Sequence, residues 1–248
     1  MTEVIARAPA RIDLAGGTLD LWPIPLLEEG ACTVNAAVDL EATARIVPRG
    51  DPLIRIESRD RGEQEVHPCL MEVRTDGRLG FLARLVRELP PPSGIDLITD
   101  CAAPSGSGLG GSSALGIATG AALARFRGEE ISQENLLGLV QAVETQVLRV
   151  PTGVQDYYPA LLGGALALHY SPRGTRAEKI PLEPERLEKH LVLCFSGVSR
   201  SSAVSNWDML KRYLDGDPAV VGGIRRVAAA ARRMEGALRA GDPEEAAA

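Results

Sequence analysis

A glycine- and serine-rich segment constrains this chain more than any other feature. Residues 104–114 read Pro-Ser-Gly-Ser-Gly-Leu-Gly-Gly-Ser-Ser-Ala, between a predicted strand at residues 95–98 and a predicted apolar helix from Ala114 to Phe126. Glycines let backbone N–H groups come close to a ligand, and a loop that leads into a helix points those donors and the positive end of the helix dipole at an anion. The segment therefore predicts a phosphate-binding loop.

Other interpretations of this loop remain open. Gly106, Gly108 and Gly111 satisfy the dinucleotide pattern G-x-G-x-x-G, but Pro104 separates them from the preceding strand, and a largely β-structured region comes before it. A Walker loop is excluded because it needs a lysine followed by Ser or Thr. What remains is a lysine-free phosphate loop whose serine hydroxyls ligate Mg²⁺, or a Gly/Ser connector without a ligand.

Charge and composition narrow the class of protein. The 248 residues contain 27 Lys and Arg against 33 Asp and Glu, a net charge of −6, which has the wrong sign for a nucleic-acid or acidic-membrane surface. Hydrophobic residues make up 45% of the chain, enough for a sizeable core. The four cysteines form no C-x-x-C pair, and neither a leader pattern nor a membrane-length apolar run occurs. We expect a cytoplasmic protein without nucleic-acid or membrane partners.

Hydrophobic periodicity favours an α+β fold, because strands and helices do not alternate strictly. The predicted strands are residues 3–14, 31–47, 53–58, 95–98, 163–170 and 191–195, and the predicted helices are 79–89, 114–126, 133–148, 205–214 and 219–240. Residues 171–185 carry three of the 17 prolines and are predicted to be a linker.

Three segments, in order, resemble the motifs of the GHMP kinases, named for galacto-, homoserine, mevalonate and phosphomevalonate kinases. Residues 104–114 resemble the phosphate-binding motif P-x-x-x-G-L-G-S-S-A, residues 8–17 the N-terminal substrate motif, and residues 153–158 the segment with the catalytic aspartate. Within the family, residues 15–20, 153–156 and 197–202 most resemble the heptose 7-phosphate kinases and related fucokinases.

The resemblance implies a two-domain GHMP-kinase-like α+β fold. Residues 1–184 would form a β-rich N-terminal domain of the ribosomal-protein-S5-domain-2-like type, and residues 185–248 a ferredoxin-like α/β C-terminal domain. The family closes its site with a third glycine-rich motif of the type G-x-G-G-G-G, which does not occur here, and Gly222-Gly223 is too short to replace it. The C-terminal domain is therefore expected to be incomplete.

The resemblance also assigns roles to individual residues. Asp156 would accept the proton of a sugar hydroxyl, and Arg11 would pair with it. Ser113 and Glu144 would hold Mg²⁺. The ATP phosphates would bind Pro104, Ser105, Gly106, Ser107, Gly108, Leu109, Gly110, Gly111, Ser112 and Ser113. The sugar would bind Gly16, Gly17, Thr18, Asp20, Gly153, Gln155 and Arg200.

Each role has a simpler alternative. Asp156 can be a turn aspartate that caps local structure, Arg11 a surface arginine, and Glu144 an exposed helical glutamate. Asp13 can cap the turn that follows it.

The expected function is that of an ATP-dependent, Mg²⁺-requiring kinase that acts on a hydroxyl of a sugar or sugar phosphate of the heptose 7-phosphate, fucose or galactose type. The protein would be a monomer or a homodimer. One alternative is a catalytically impaired or fragmentary sugar- or nucleotide-binding protein on the same fold, since the third motif is missing. A weaker one is an NAD-binding oxidoreductase, which rests on the G-x-G-x-x-G spacing alone.

Overall fold

The computed structural model describes residues 2–192, 194 and 202–242. Its strands are β1 (Val4–Ala15), β2 (Cys32–Pro48), β3 (Ile54–Ser58), β4 (Glu63–His67), β5 (Ile95–Cys101), β6 (Ala165–Ser171) and β7 (Gly174–Ile180). Its helices are α1 (Ile24–Leu27), α2 (Gly80–Glu88), α3 (Gly111–Arg127), α4 (Gln133–Leu148), α5 (Tyr157–Leu162), α6 (Pro184–Glu188), α7 (Ser202–Leu214) and α8 (Pro218–Ala240). The predicted α+β class is confirmed.

The chain forms two compact units. The first comprises Met1–Ala10, Asp39–Ser105 and Gly110–Arg149, and the second comprises Arg11–Val38, Gly106–Leu109 and the described residues of Val150–Ala248. Strands β1 and β2 therefore contribute residues to both units. The predicted domain boundary at residue 184 stays a prediction.

The first unit is a sheet with helices packed together. Its strand order is β4-β3-β5-β2, in which β5 is antiparallel to the C-terminal part of β2 and parallel to β3. Helices α2, α3 and α4 contact one another, and α3 also contacts β5. A Cβ on Gly116 of α3 would lie 2.4 Å from Cγ1 of Val140 on α4, so this glycine permits the two helices to approach closely.

The second unit is built on β6. This strand pairs antiparallel with the N-terminal part of β2 on one side, from Cys32↔His169 to Ala36↔Ala165, and with β7 on the other. The apolar core joins the β1–α1 connection, β6, α7 and α8, and includes Leu19, Leu21, Ile24, Leu166, Leu168, Leu210, Tyr213, Ile224 and Ala228. This core anchors the turn after β1, which carries part of the candidate site.

The predicted linker at residues 171–185 is wrong over most of its length. Residues 174–180 form β7, which pairs with β6 through a tight connection between Ser171 and Gly174, where Gly174 has φ 109°. The strand is largely polar, and only its last residue, Ile180, is buried. Alternating charged residues on a half-exposed strand lack the apolar pattern on which strand prediction rests. Of the strand predicted at 191–195, residues 191, 192 and 194 are described and lie outside any strand.

Candidate active site

Strands β1 and β2 place four polar side chains in the second unit. Alternate residues of a strand share a face, so Arg11 and Asp13 lie together on β1, and Thr33 and Asn35 lie together on β2. The two strands pair with each other. Each of the two strands therefore carries a pair of polar residues two positions apart, and both pairs belong to the candidate site.

The chain turns sharply after β1. Gly16 has φ 82°, and a Cβ on it would lie 2.1 Å from the carbonyl oxygen of Cys32, so no larger residue fits. Its own carbonyl accepts a hydrogen bond from Oγ1 of Thr33 at 2.8 Å. Thr18, a β-branched residue, also adopts a positive φ of 79°, a strained conformation of the kind that concentrates at functional sites. This turn leads to Asp20.

Arg11 and Asp156 form the central ion pair. Nε and Nη2 of Arg11 both donate to Oδ1 of Asp156, at 2.9 and 2.6 Å, and Arg11 is only 6% exposed. Burial lowers the pKa of Arg11, but Asp156 and Asp13 outweigh it and raise that pKa overall. Asp156 occupies the N-cap position of α5, yet its side chain caps no N–H group. Arg11 is thus not a surface arginine, and the Asp156 side chain does not cap α5.

Arg11 also contacts the glycine-rich loop. Its Nη1 donates to the carbonyl of Gly108, and its backbone N–H donates to the carbonyl of Leu109 at 2.9 Å. Gly106 and Gly108 have φ of 72° and 77°, and a Cβ on Gly108 would meet open space. A positive φ, and not crowding, is therefore what requires glycine at position 108. One arginine joins the loop to the Asp156 carboxylate.

Asp20 is a buried carboxylate held by the segment before Asp156. Its Oδ2 accepts a hydrogen bond from the backbone N–H of Gln155 at 2.9 Å. Burial raises the pKa of Asp20 to about 6; the Gln155 N–H opposes the rise, and the nearby charge of Asp156 adds to it. A Cβ on Gly153 would lie 1.8 Å from Oδ2 of Asp20, so the carboxylate occupies the space that any side chain at position 153 would need.

Asp13 is a third carboxylate of this cluster, one to which sequence reasoning gave only a turn-capping role. Its Oδ2 lies 3.2 Å from Nη2 of Arg11 and accepts a hydrogen bond from Nε2 of Gln155 at 3.0 Å. Burial raises the pKa of Asp13, Arg11 lowers it, and the charges of Asp156 and Asp20 raise it further, to about 7. Its side chain keeps 24% of its surface exposed and so remains open to a ligand.

Three buried polar side chains, those of Thr33, Asn35 and Tyr170, form hydrogen bonds that hold the residues of this site in place. Nδ2 of Asn35 donates to the carbonyl of Gln155 at 3.0 Å, which fixes the backbone next to Asp156. The hydroxyl of Tyr170 donates to Oγ1 of Thr33 at 2.8 Å. Sequence reasoning missed all three, and the i, i+2 spacing of Thr33 and Asn35 was the signal that could have found two of them.

Ser113 and Glu144 meet in the first unit. Helix α3 begins after Gly110, which has φ 70° and offers no side chain to cap the first turn, so backbone N–H groups there are available to an anion. Oγ of Ser113 donates to Oε2 of Glu144 at 3.0 Å, and both residues are buried. Glu144 is thus not an exposed helical residue. A hydroxyl and a carboxylate this close form a donor set that fits Mg²⁺.

The structure brings most of the predicted site residues together within their units. In the second unit, direct contacts join Arg11, Asp20, Gly108, Gln155 and Asp156, and Gly17 lies beside Asp13, since a Cβ on it would be 3.8 Å from Oδ2. In the first unit, Ser113 and Glu144 are joined. Arg200 lies outside the described residues. The roles of all these residues stay predictions.

Comparison with known proteins identifies part of the chain. The model of the GHMP kinases N terminal domain matches residues 78–164, which include the glycine-rich loop, α3, α4 and Asp156. Residues 78–164 are thus similar to a GHMP kinase N-terminal domain. The strand before the loop, β5, pairs antiparallel with β2 and parallel with β3, whereas in a dinucleotide-binding fold that strand lies in a parallel sheet.

The curated relatives that the chain resembles include several sugar kinases. The chain is 26% identical over 212 residues to the D-glycero-alpha-D-manno-heptose 7-phosphate kinase of Campylobacter jejuni subsp. jejuni serotype O:2, with 82% of this chain and 62% of the relative covered. It is 31% identical over 220 residues to the galactokinase of Chloroflexus aggregans, with 82% and 52% covered. The chain thus spans between half and two thirds of the length of these relatives.

Solved structures confirm the GHMP kinase fold. A D-glycero-D-manno-heptose 1-phosphate kinase from Bacteriodes thetaiotaomicron superposes with a TM-score of 0.77 at 21% identity, covering 98% of this chain and 76% of that one. Lactococcus lactis galactokinase complexed with galactose superposes with a TM-score of 0.69 at 17% identity, covering 96% and 70%. None of the helices in the described part of the chain combines the length and apolarity of a membrane span.

Proposed function

We propose that this protein is an ATP-dependent kinase that transfers the γ-phosphoryl group to a hydroxyl of a sugar or sugar phosphate of the heptose phosphate, galactose or fucose type. The observation that carries the proposal is the double contact of Arg11, which binds the Asp156 carboxylate and the carbonyl of Gly108 in the glycine-rich loop. Phosphoryl transfer needs a carboxylate for the acceptor and a phosphate cradle held in fixed relation to it. The sugar kinases among the relatives support the substrate class.

In this mechanism Arg11 holds one oxygen of Asp156 and leaves the other for the substrate. Both hydrogen bonds from Arg11 to Asp156 end on Oδ1. Oδ2 is then the atom that accepts the proton of the attacking hydroxyl. The guanidinium holds the Asp156 carboxylate in place and offsets negative charge that develops during transfer.

The glycine-rich loop and the start of α3 bind the ATP phosphates through backbone N–H groups. Mg²⁺ would be held by Ser113 and Glu144, and it would neutralise charge on the β- and γ-phosphates. The sugar lies against Gly17, Thr18, Asp20 and Gln155. Because Asp20 is buried and accepts a backbone N–H, it is a fixed acceptor for sugar hydroxyls.

Further parts of the proposal rest on the sequence. If the substrate already bears a phosphate, Arg200 is its partner. The protein acts in the cytoplasm as a monomer or a homodimer.

A binding protein without catalysis is the second candidate. It would bind sugar or nucleotide at the same residues without transferring phosphate.

The test uses the purified chain with ATP, Mg²⁺ and a panel of heptose 7-phosphate, galactose, fucose and related sugars. We expect ADP and a sugar phosphate ester to form in equal amounts, and ³¹P NMR measures both products. Titration calorimetry on the same sugars distinguishes the second candidate. Sugar binding without ester formation would favour a binding protein, and an absence of both would refute the proposed substrate class.

A further inference from the structure

The carboxylates around Arg11 outnumber the cation that they face. Its guanidinium lies in the field of the Asp156, Asp13 and Asp20 carboxylates. A base for proton transfer needs one carboxylate and one cation to hold it. Asp20 has its own donor in the Gln155 backbone, so Asp13 is the carboxylate that this scheme leaves unexplained.

Asp13 contacts two residues next to Asp156: Arg11, which binds the Asp156 carboxylate, and Gln155, which precedes Asp156 in the chain. On one side its Oδ2 lies 3.2 Å from Nη2 of Arg11, the same nitrogen that donates to Oδ1 of Asp156 at 2.6 Å. On the other side Oδ2 accepts from Nε2 of Gln155, the residue that directly precedes Asp156. Two carboxylates thus share one guanidinium nitrogen, and one of them also fixes the neighbouring amide.

We propose that Asp13 is a positioning residue of the acceptor site: its carboxylate competes with Asp156 for Nη2 of Arg11 and holds the Gln155 side chain, so that Arg11 holds Asp156 less tightly and Asp156 accepts the hydroxyl proton more readily. The inference deepens the proposed kinase function and rests on it. A guanidinium that served Asp156 alone would hold that carboxylate more tightly and make it a poorer proton acceptor.

The protonation of Asp13 then controls the rate. The titratable groups that face it are Arg11 on β1, Asp20 after the turn, Asp156 at the start of α5 and Tyr170 on β6. When Asp13 is protonated, it no longer competes, and the guanidinium of Arg11 pairs with Asp156 alone. Because burial raises the pKa of Asp13 to about 7, we expect kcat of the wild type to rise as the pH passes through that region.

The decisive variant is Asp13→Asn, which keeps the size of the side chain and an oxygen for Gln155 but loses the charge. We expect kcat above pH 7 to fall about tenfold, the effect of one pKa unit of interaction, with KM for sugar and for ATP within about twofold. The rise of kcat near pH 7 should disappear. Asp13→Glu should restore part of both. The matched control is Asp39→Asn, which removes the same charge from an exposed position on β2 and should change nothing.

Thermal unfolding supplies a readout without activity. An acid whose pKa is raised in the folded state loses stability as pH rises from its ordinary pKa of 3.8 toward about 7, because the folded state then binds more protons than the unfolded one. The melting temperature of Asp13→Asn minus that of the wild type should therefore grow between pH 5 and pH 8, by about 2 °C or more.

The outcomes separate this inference from the proposed function. If the wild type transfers phosphate and Asp13→Asn keeps its rate and pH profile, the inference is overturned and the kinase function stands. A raised KM at unchanged kcat also overturns it, because Asp13 would then only bind sugar. A wild type that transfers phosphate to no sugar overturns the proposed function and the role of Asp13 together.

Discussion

Two clusters of charged residues in the second unit differ in the number of cations that face their carboxylates. In the Arg11 cluster, one guanidinium lies among Asp13, Asp20 and Asp156. In the His169 cluster, which comprises His169, Glu178, Glu235 and Arg239, the arginine donates to Oε2 of Glu178 at 2.6 Å and to Oε1 of Glu235 at 2.9 Å. Arg176 also pairs with Glu178, and Nε2 of His169 lies 3.2 Å from Oε1 of Glu235.

The difference separates a structural network from a reactive one. With Arg176 counted, the His169 cluster joins β6, β7 and α8 with two arginines against two glutamates, so it can stabilise the fold at modest desolvation cost. Its ligand atoms lie within 4.8 Å of one another, as a metal site would require, but Arg239 already donates to both carboxylates. The Arg11 cluster places three carboxylates around one buried guanidinium, and such an excess of like charge is typical of a reactive site.

The largest expected effect comes from Arg11→Lys. Lysine keeps the charge, but it lacks the planar fork that binds Asp156 and the Gly108 carbonyl together. We expect kcat to fall about 10²- to 10³-fold, as when one fixed donor for developing charge is removed. The control is Arg239→Lys in the His169 cluster, which should leave kcat unchanged. Equal losses in both variants would contradict the distinction between the clusters.

The second effect concerns the pH dependence of stability. Asp20 is buried, and its pKa of about 6 lies above its ordinary value of 3.8, so its ionisation should destabilise the protein as pH rises between these values. In Asp20→Asn this loss should vanish, and the variant should gain about 5 °C in melting temperature relative to wild type between pH 4 and pH 7. If the melting temperatures of the variant and the wild type differed by the same amount at every pH, the pKa of Asp20 would not be raised in the folded protein.

How much of this was predictable from sequence differs between fold and site. Periodicity located the long elements, for example α4 at Gln133–Leu148 with Ser132 as its N-cap, because local patterns and capping encode them. The partnership of Arg11 with Asp156 spans 145 residues and was predicted only through the family resemblance. Asp13 was missed as a partner of Gln155, since no local pattern encodes a contact across 142 residues.

The third effect tests the packing of Gly153 against Asp20. A methyl group in Gly153→Ala would lie 1.8 Å from Oδ2 of Asp20 and must displace that carboxylate from its place in the sugar pocket. We expect KM for the sugar to rise about tenfold, the value of one good hydrogen bond, while KM for ATP stays within about twofold.

Gly138→Ala provides the matched control for that variant. Gly138 lies in α4 with nothing within 4 Å of an added Cβ, so the substitution should leave KM unchanged and stabilise the helix by up to about 1 kcal/mol. If both variants behave alike, the crowding at Gly153 has no role in sugar binding.

The smallest effect belongs to the His169 cluster. Glu235→Gln removes an acceptor of Arg239 and the closest carboxylate to His169. We expect the free energy of unfolding to fall by about 0.5–1 kcal/mol at low salt, and by less at 1 M salt, because such pairs are screened. Turnover should not change. A large loss of kcat would show that this cluster also serves the reaction.

The most direct test of the account is the turnover of Asp156→Asn with the best sugar of the panel. Asparagine preserves the shape of the side chain but cannot take up the hydroxyl proton at Oδ2. The account predicts that kcat falls about 10³-fold while the dissociation constant for ATP, measured by calorimetry, stays within about twofold. Turnover within about threefold of the wild type would remove Asp156 from the reaction and contradict the claim that the Arg11 cluster is the catalytic centre.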